Sequence, residues 1–175
     1  MKIKKTFLAL MLSFVLFGIF SPVQASENIK IRVNNQFISS DVAPFIQNGR
    51  TMVPIRVISE SLGYDVDWDQ ASQSIFISSE DSDGFALSVV MLLIGEYQCV
   101  WFDPDSINRA SLLYQAGYIN EDEMFYAGTE NSEIIGLDAP PVIINNRTFV
   151  PLRAIAELFG YNVSWDPINR IVDIK

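Results

Sequence analysis

The 175-residue chain contains no histidine, a single cysteine, and only 12 lysines and arginines against 21 aspartates and glutamates. Each shortage removes a class of chemistry. Without imidazole a Ser–His or Cys–His nucleophile pair cannot be assembled, and type-2 copper loses the donor it prefers. The lone Cys99 cannot form an intrachain disulfide, so packing must hold the fold together. No G-x-S-x-G elbow is present. The deficit of base leaves an acidic surface that repels phosphate backbones, which argues against nucleic acid and against anionic membrane surfaces as partners. Long apolar runs are also scarce: residues 7–20 form the longest, shorter than the ~20 residues of a membrane span, and residues 85–94 are shorter still.

The first apolar run has another reading. Lys2, Lys4 and Lys5 precede it, and Val23-Gln24-Ala25 follows with small residues at a cleavage site. That order predicts a secretory signal peptide over residues 1–25, with a mature chain beginning near Ser26 and no membrane span once the signal is removed. Loss of three lysines leaves nine basic residues against 21 acids, a formal net charge of −12. Cys99 lies far from the cleavage site, so it does not supply a lipid anchor. The expected location is extracellular or within the cell envelope.

What the chain does have is a repeat. Residues 41–78 align without a gap to 138–175 at an offset of 97, and 17 of the 38 aligned positions are identical. Asn48-Gly49, and less strongly Asn145-Asn146, mark two-residue hairpin turns, because these residues tolerate positive φ. Pro54 and Pro151 fit the first turn of a helix of about three turns. Ile55, Ile58 and Leu62 share one face of it, as do Leu152, Ile155 and Phe159, and Gly63 and Gly160 stop it. Val66 and Trp68, like Val163 and Trp165, then alternate as half-buried strands. Arg56 and Glu60, like Arg153 and Glu157, stand four residues apart. They read as structural ion pairs holding each helix against Asp69 or Asp166 at the next hairpin. Trp68 and Trp165, with Tyr64 and Tyr161, read as packing residues.

The shared string N-G-R-T-x-V-P-[IL]-R-x-[IL]-[AS]-E-x-[LF]-G-Y-x-V-x-W-D resembles the copper amine oxidase N-terminal-like domain, or stalk domain, of secreted bacterial proteins. Arg50, Pro54, Arg56, Glu60, Gly63 and Trp68 carry it in one copy. Arg147, Pro151, Arg153, Glu157, Gly160 and Trp165 carry it in the other, where Asn146 replaces the usual glycine. Residues 29–38, turning at Asn34-Asn35, match the family's leading hairpin. The resemblance implies an α+β fold: two copies of a small twisted antiparallel sheet wrapped around one helix. It does not imply oxidation. The oxidase centre of that group lies in another domain and needs three histidines beside a quinone-forming tyrosine in an N-Y-[DE] string. Here the nearest string is Gly63-Tyr64-Asp65, so no metal ligand and no cofactor is assigned.

The copies are expected to divide as 26–80 and 85–175, joined by the acidic linker 79–84. Residues 88–102 have the look of a second leading hairpin, and the second copy then carries a partly helical insertion over 103–133. Asp105 or Ser106 is predicted to cap a helix that Gly117 ends. Trp101, Phe102, Tyr114, Tyr118, Phe125 and Tyr126 gather in or beside this insertion. Aromatics flanked by acids suit stacking on sugar rings or docking of a basic partner; the alternative is a satellite core. Asp103, Asp105, Glu121, Asp122 and Glu123 suggest a weak calcium site, although the EF-hand spacing fails. A hydrolytic carboxylate pair is also open among the many acids, with Glu121 or Glu123 as an example of one member.

These observations lead to an expectation of a non-catalytic module that binds a cell-wall glycan or another extracytoplasmic protein. The alternatives are a structural spacer or self-assembling subunit, and a carboxylate-dependent wall hydrolase.

Overall fold

The architecture follows from three asparagine turns. In the computed structural model, which describes residues 28–175, Asn34-Asn35, Asn48-Gly49 and Asn145-Asn146 all have both residues at positive φ. This is the geometry whose twist matches a two-residue hairpin. The first joins β1 (Lys30–Val33) to β2 (Gln36–Ile38), the second β3 (Phe45–Gln47) to β4 (Arg50–Pro54), and the third β10 (Val142–Ile144) to β11 (Arg147–Pro151). The predicted signal peptide lies outside the described residues.

β4 and β11 run straight into helices α1 (Ile55–Ser61) and α4 (Leu152–Leu158). The helices have seven residues, two turns rather than the predicted three. Pro54 and Pro151 are N-caps with extended backbone, ψ 120° and 109°, rather than first-turn residues. The reason is tertiary: both prolines are still paired in a sheet, Phe149 opposite Pro54 and Pro151 opposite Met52. Gly63 and Gly160 follow at φ 87° and 80°, the left-handed conformation that ends a helix.

Each helix leads to a closing hairpin, β5 (Asp65–Asp69) with β6 (Ser74–Glu80), and β12 (Val163–Asp166) with β13 (Ile171–Ile174). Between the copies lie β7 (Ala86–Leu93), β8 (Gln98–Phe102), α2 (Pro104–Gln115), α3 (Glu121–Gly128) and β9 (Glu133–Gly136). The result is an α+β fold of three sheets, ordered β12-β13-β1-β2, β10-β11-β4-β3 and β5-β6-β7-β8-β9.

No sheet belongs wholly to one copy. The leading hairpin β1–β2 adds to the closing hairpin of the second copy, with β1 parallel to β13. The middle hairpins of both copies share the second sheet through β4 and β11. In the third sheet β8 and β9 pair as β1 and β2 do, with Trp101 opposite Glu133 where Val33 faces Gln36. The insertion therefore interrupts the leading hairpin itself, standing where Asn34-Asn35 turns the first one. The expected leading hairpin over 88–102 forms as β7–β8, but β7 is an added strand between β6 and β8.

One apolar core runs through both copies. Val53, Ile55, Ile58, Ile75 and Ile77 meet their counterparts Val150, Leu152, Ile155, Val172 and Ile174, with Ile31 and Val33 from β1 and Val90 and Leu92 from the added strand β7. Cys99 is buried here, and burial pushes its thiol up to about 11, so it is a packing residue and not a nucleophile. A smaller core on the opposite side of the shared sheet joins Met52, Phe149 and Ala139.

Two predictions follow from the packing. Ser59 is wholly buried, and its hydroxyl has no hydrogen-bond partner among the described residues; the second copy has Ala156 there. Ser59→Ala should stabilise the protein by about 1 kcal/mol, read as a higher urea midpoint, and a lowered midpoint would contradict this. At the β1–β13 junction Arg32 donates to Asp173 from Nε at 3.0 Å and Nη2 at 2.9 Å, and Lys175 Nζ lies 3.0 Å away. Arg32 and then Lys175 hold the Asp173 carboxyl down at about 2. A depressed carboxyl stabilises the fold fully above its unfolded value of ~3.9 and loses that contribution as pH falls through the folded value. Asp173→Asn should thus lower the melting temperature at neutral pH and flatten its decline between about pH 4 and 2. An unchanged acid limb would refute the linkage.

Candidate functional site

The residues expected to bind a ligand do not form one site. Trp101 and Phe102 sit half-buried in β8, and Trp101 packs against the main core. The other four are exposed on the helical insertion: Tyr114, Tyr118 at 79%, Phe125 at 65% and Tyr126 at 74%. A satellite core would bury these rings, so that alternative fails for them. The Phe125 and Tyr126 rings meet edge to face at 5.9 Å, and Leu112 is also exposed nearby on α2.

The insertion is nonetheless firmly built. Asp103, rather than Asp105 or Ser106, caps α2: its carboxylate accepts from Ser106 N at 3.0 Å and Oγ at 2.7 Å, with Pro104 in the first turn. Asn108 closes a pair of hydrogen bonds on Ala86, donating to its carbonyl at 2.9 Å and accepting from its N–H at 2.8 Å. This ties α2 to the start of β7. Helix α3 was not foreseen, although its signal was readable. Asn120 and Glu123 make a reciprocal capping box, at 3.0 and 2.9 Å, the N-x-x-E pattern that opens a helix. Asp103 and Glu123 are therefore engaged as caps and are poor calcium ligands. Among the described residues no three potential metal-binding side chains converge.

The repeated residues, read as structural, line two clefts. The larger, of about 780 Å³, lies between α1, the β5–β6 hairpin and the tip of the other copy's β10–β11 hairpin. The smaller, of about 100 Å³, has ten lining residues. Every one of them is the offset-97 counterpart of a residue lining the larger cleft. Arg50, Asp138, Arg153 and Trp165 on one side thus match Arg147, Asp41, Arg56 and Trp68 on the other. Each tryptophan, read from the sequence as a packing residue on a half-buried strand, is 38% exposed and lines a cleft wall.

Reciprocal ion pairs tie the cleft walls across the copies. Arg147 donates to Asp41 from Nη2 at 2.7 Å and Nε at 3.1 Å, and Arg50 forms the corresponding ion pair with Asp138 through Nε. The first of these lowers the Asp41 carboxyl below its usual range, the wrong direction for a general acid. Arg56 and Glu60 make a loose pair within α1 at 3.8 Å, as Arg153 and Glu157 do within α4 at 3.9 Å, all well exposed. They do not reach Asp69 or Asp166 as expected, because those carboxylates cap their own turns. Asp69 accepts from Ala71 N at 3.0 Å and Asp166 from Ile168 N at 2.9 Å. Tyr64 stacks on Phe159 of the other copy at 4.0 Å, a packing role as predicted. Glu121 and Glu123, each an example of a hydrolytic carboxylate, lie exposed in the first turn of α3 and line neither cleft.

The chain belongs to the Copper amine oxidase N-terminal domain family, whose model matches residues 26–83 and 118–175. The domain is thus present as two tandem copies. The segment between the matches, residues 84–117, holds β7, β8 and α2. No curated protein and no solved structure matches the chain. Among the described residues no helix is long and apolar enough to cross a membrane. With no histidine in the sequence, the donors needed for copper oxidase chemistry are missing.

Proposed function

We propose that this protein is a non-catalytic binding module of the extracellular space or cell envelope, and that its helical insertion docks a basic extracytoplasmic protein. The observation that carries this reading is the exposure of four rings in the insertion, Tyr114 on α2, Tyr118 just beyond its end, and the touching pair Phe125 and Tyr126 on α3, where both helices are capped and α2 is tethered. Large exposed rings on a well-ordered element have no role in the fold and are the residue types that dominate binding energy at interfaces.

Charge favours a basic partner over a glycan at this face. Residues 103–133 hold seven acids and one base, and that base, Arg109, is paired with Glu130 at 2.5 Å. Aromatic rings amid uncompensated carboxylates attract lysine and arginine through both the ring face and the field. The cleavable signal predicted over residues 1–25 supports an exported location.

Titration with a synthetic lysine-rich amphipathic peptide tests this. Binding should weaken as salt rises. Replacing Tyr118, Phe125 and Tyr126 together by serine should lower the affinity about tenfold or more, without moving the melting temperature. Equal affinity of wild type and variant would overturn the assignment, as would binding indifferent to salt.

A further inference from the structure

We infer that the larger cleft is a saccharide-binding site for an uncharged glycan, with a sugar ring stacked on Trp68 and its hydroxyls bonded by Arg56, Gln70, Gln73 and Asn146. This goes beyond the docking role of the insertion and rests on different residues.

Volume, charge and exposed bonding groups all point this way. At about 780 Å³ the cleft falls within the ~300–1,000 Å³ range of ligand sites. Its walls carry Arg56 and Arg147 against Asp41 and Glu60, a balanced set within a strongly acidic chain. A cation or an anion would find no net attraction there, whereas a neutral polyhydroxylated ligand loses nothing by it. Trp68 presents part of an indole at the cleft wall, and an aromatic face is the surface on which the C–H side of a pyranose packs. Gln70 and Gln73 are exposed at the cleft wall, and each amide offers both donors and an acceptor. Such groups suit vicinal hydroxyls.

The duplication supplies an internal comparison. The smaller cleft repeats the tryptophan, the arginines and the cross-copy ion pair, yet measures about 100 Å³, below the size of a ligand site. The counterparts of Gln70 and Gln73 are Pro167 and Arg170. Residues required only by the fold should matter alike in both copies, whereas residues that bind should matter in one. Trp165→Ala is therefore a matched control for Trp68→Ala.

The experiment is calorimetric titration of the mature protein with three probes: cello-oligosaccharide, N-acetylglucosamine oligomer and oligogalacturonate. Binding of either neutral probe is expected, and the two separate glucan from N-acetylated glycan as the source. Trp68→Ala should lower that affinity about tenfold or more, and Trp165→Ala should leave it within about twofold. Gln70→Ala combined with Gln73→Gly should also weaken binding, with an unchanged melting temperature; glycine suits the φ of 53° at residue 73. The triple serine variant of the insertion should bind the neutral probe as wild type does, which separates this inference from the docking proposal. Binding of none of the probes, binding of the anionic probe alone, or equal losses from Trp68→Ala and Trp165→Ala would overturn it.

Discussion

The structure depends on the antiparallel contact between β4 and β11. It is three residues long, with Val53 opposite Val150 and the pairs Met52–Pro151 and Pro54–Phe149 on either side. At the repeat offset of 97, Val53 and Val150 are the same residue of the two copies, so a pseudo-twofold axis passes between them. Proline has no N–H to donate. The flanking pairs must then be of the non-hydrogen-bonded kind, and the valine pair exchanges both bonds. Two hydrogen bonds cannot hold two modules together. What does is the apolar surface on both sides of the contact: Val53 and Val150 enter the main core, while Met52 and Phe149 fill the smaller one. Truncating a buried phenylalanine costs about 3–5 kcal/mol, so packing at the axis dominates.

The reciprocal pairs Arg147–Asp41 and Arg50–Asp138 do a different job. They are largely solvated, and solvated ion pairs contribute little stability. Their value is geometric. An isologous contact repeats any interaction it makes, so one arginine and one aspartate per copy fix the rotation of the modules at two points. Those two points are the walls of the two clefts. A cleft built this way exists only in the paired arrangement, since each draws its ion pair from both copies. The first strand then closes the unit by pairing with the last, Lys30 opposite Ile171 through Val33 opposite Ile174.

Local chemistry was legible in the sequence and long-range pairing was not. Asn48-Gly49, Asn145-Asn146, Gly63 and Gly160 announced turns and helix stops, because a positive φ is a property of one or two residues. Helix length was misread because Pro54 and Pro151 satisfy a first-turn rule and a strand-end rule equally well, and only the partner strand decides. The exchange of β1 onto β13 joins residues 141 apart, which no local pattern encodes. Trp68 and Trp165 show the subtler difficulty. Recurrence in both copies is what a structural residue produces, but it is equally what a duplicated cleft produces. The exposed rings of the insertion were found from composition alone, while α3 beneath two of them was missed although Asn120 and Glu123 spelled its cap.

The two proposed recognition surfaces would divide the work by range. The acidic insertion acts through the field of the molecule, which extends about 8–10 Å at ordinary ionic strength and turns away anionic polymers as it draws in basic ones. The balanced cleft acts only at contact, through ring stacking and hydrogen bonds. A net charge of −9, or −12 once the predicted signal is removed, would frustrate a site that relied on attraction to anionic polymers, and it leaves an uncharged ligand indifferent. The copies differ in the same sense. The first keeps its leading hairpin simple and its cleft open with Gln70 and Gln73. The second has Pro167 and Arg170 at those positions and opens its leading hairpin to admit two helices. Duplication supplied the frame, and each copy has diverged where the other has not, so the two proposed roles need not compete for the same residues.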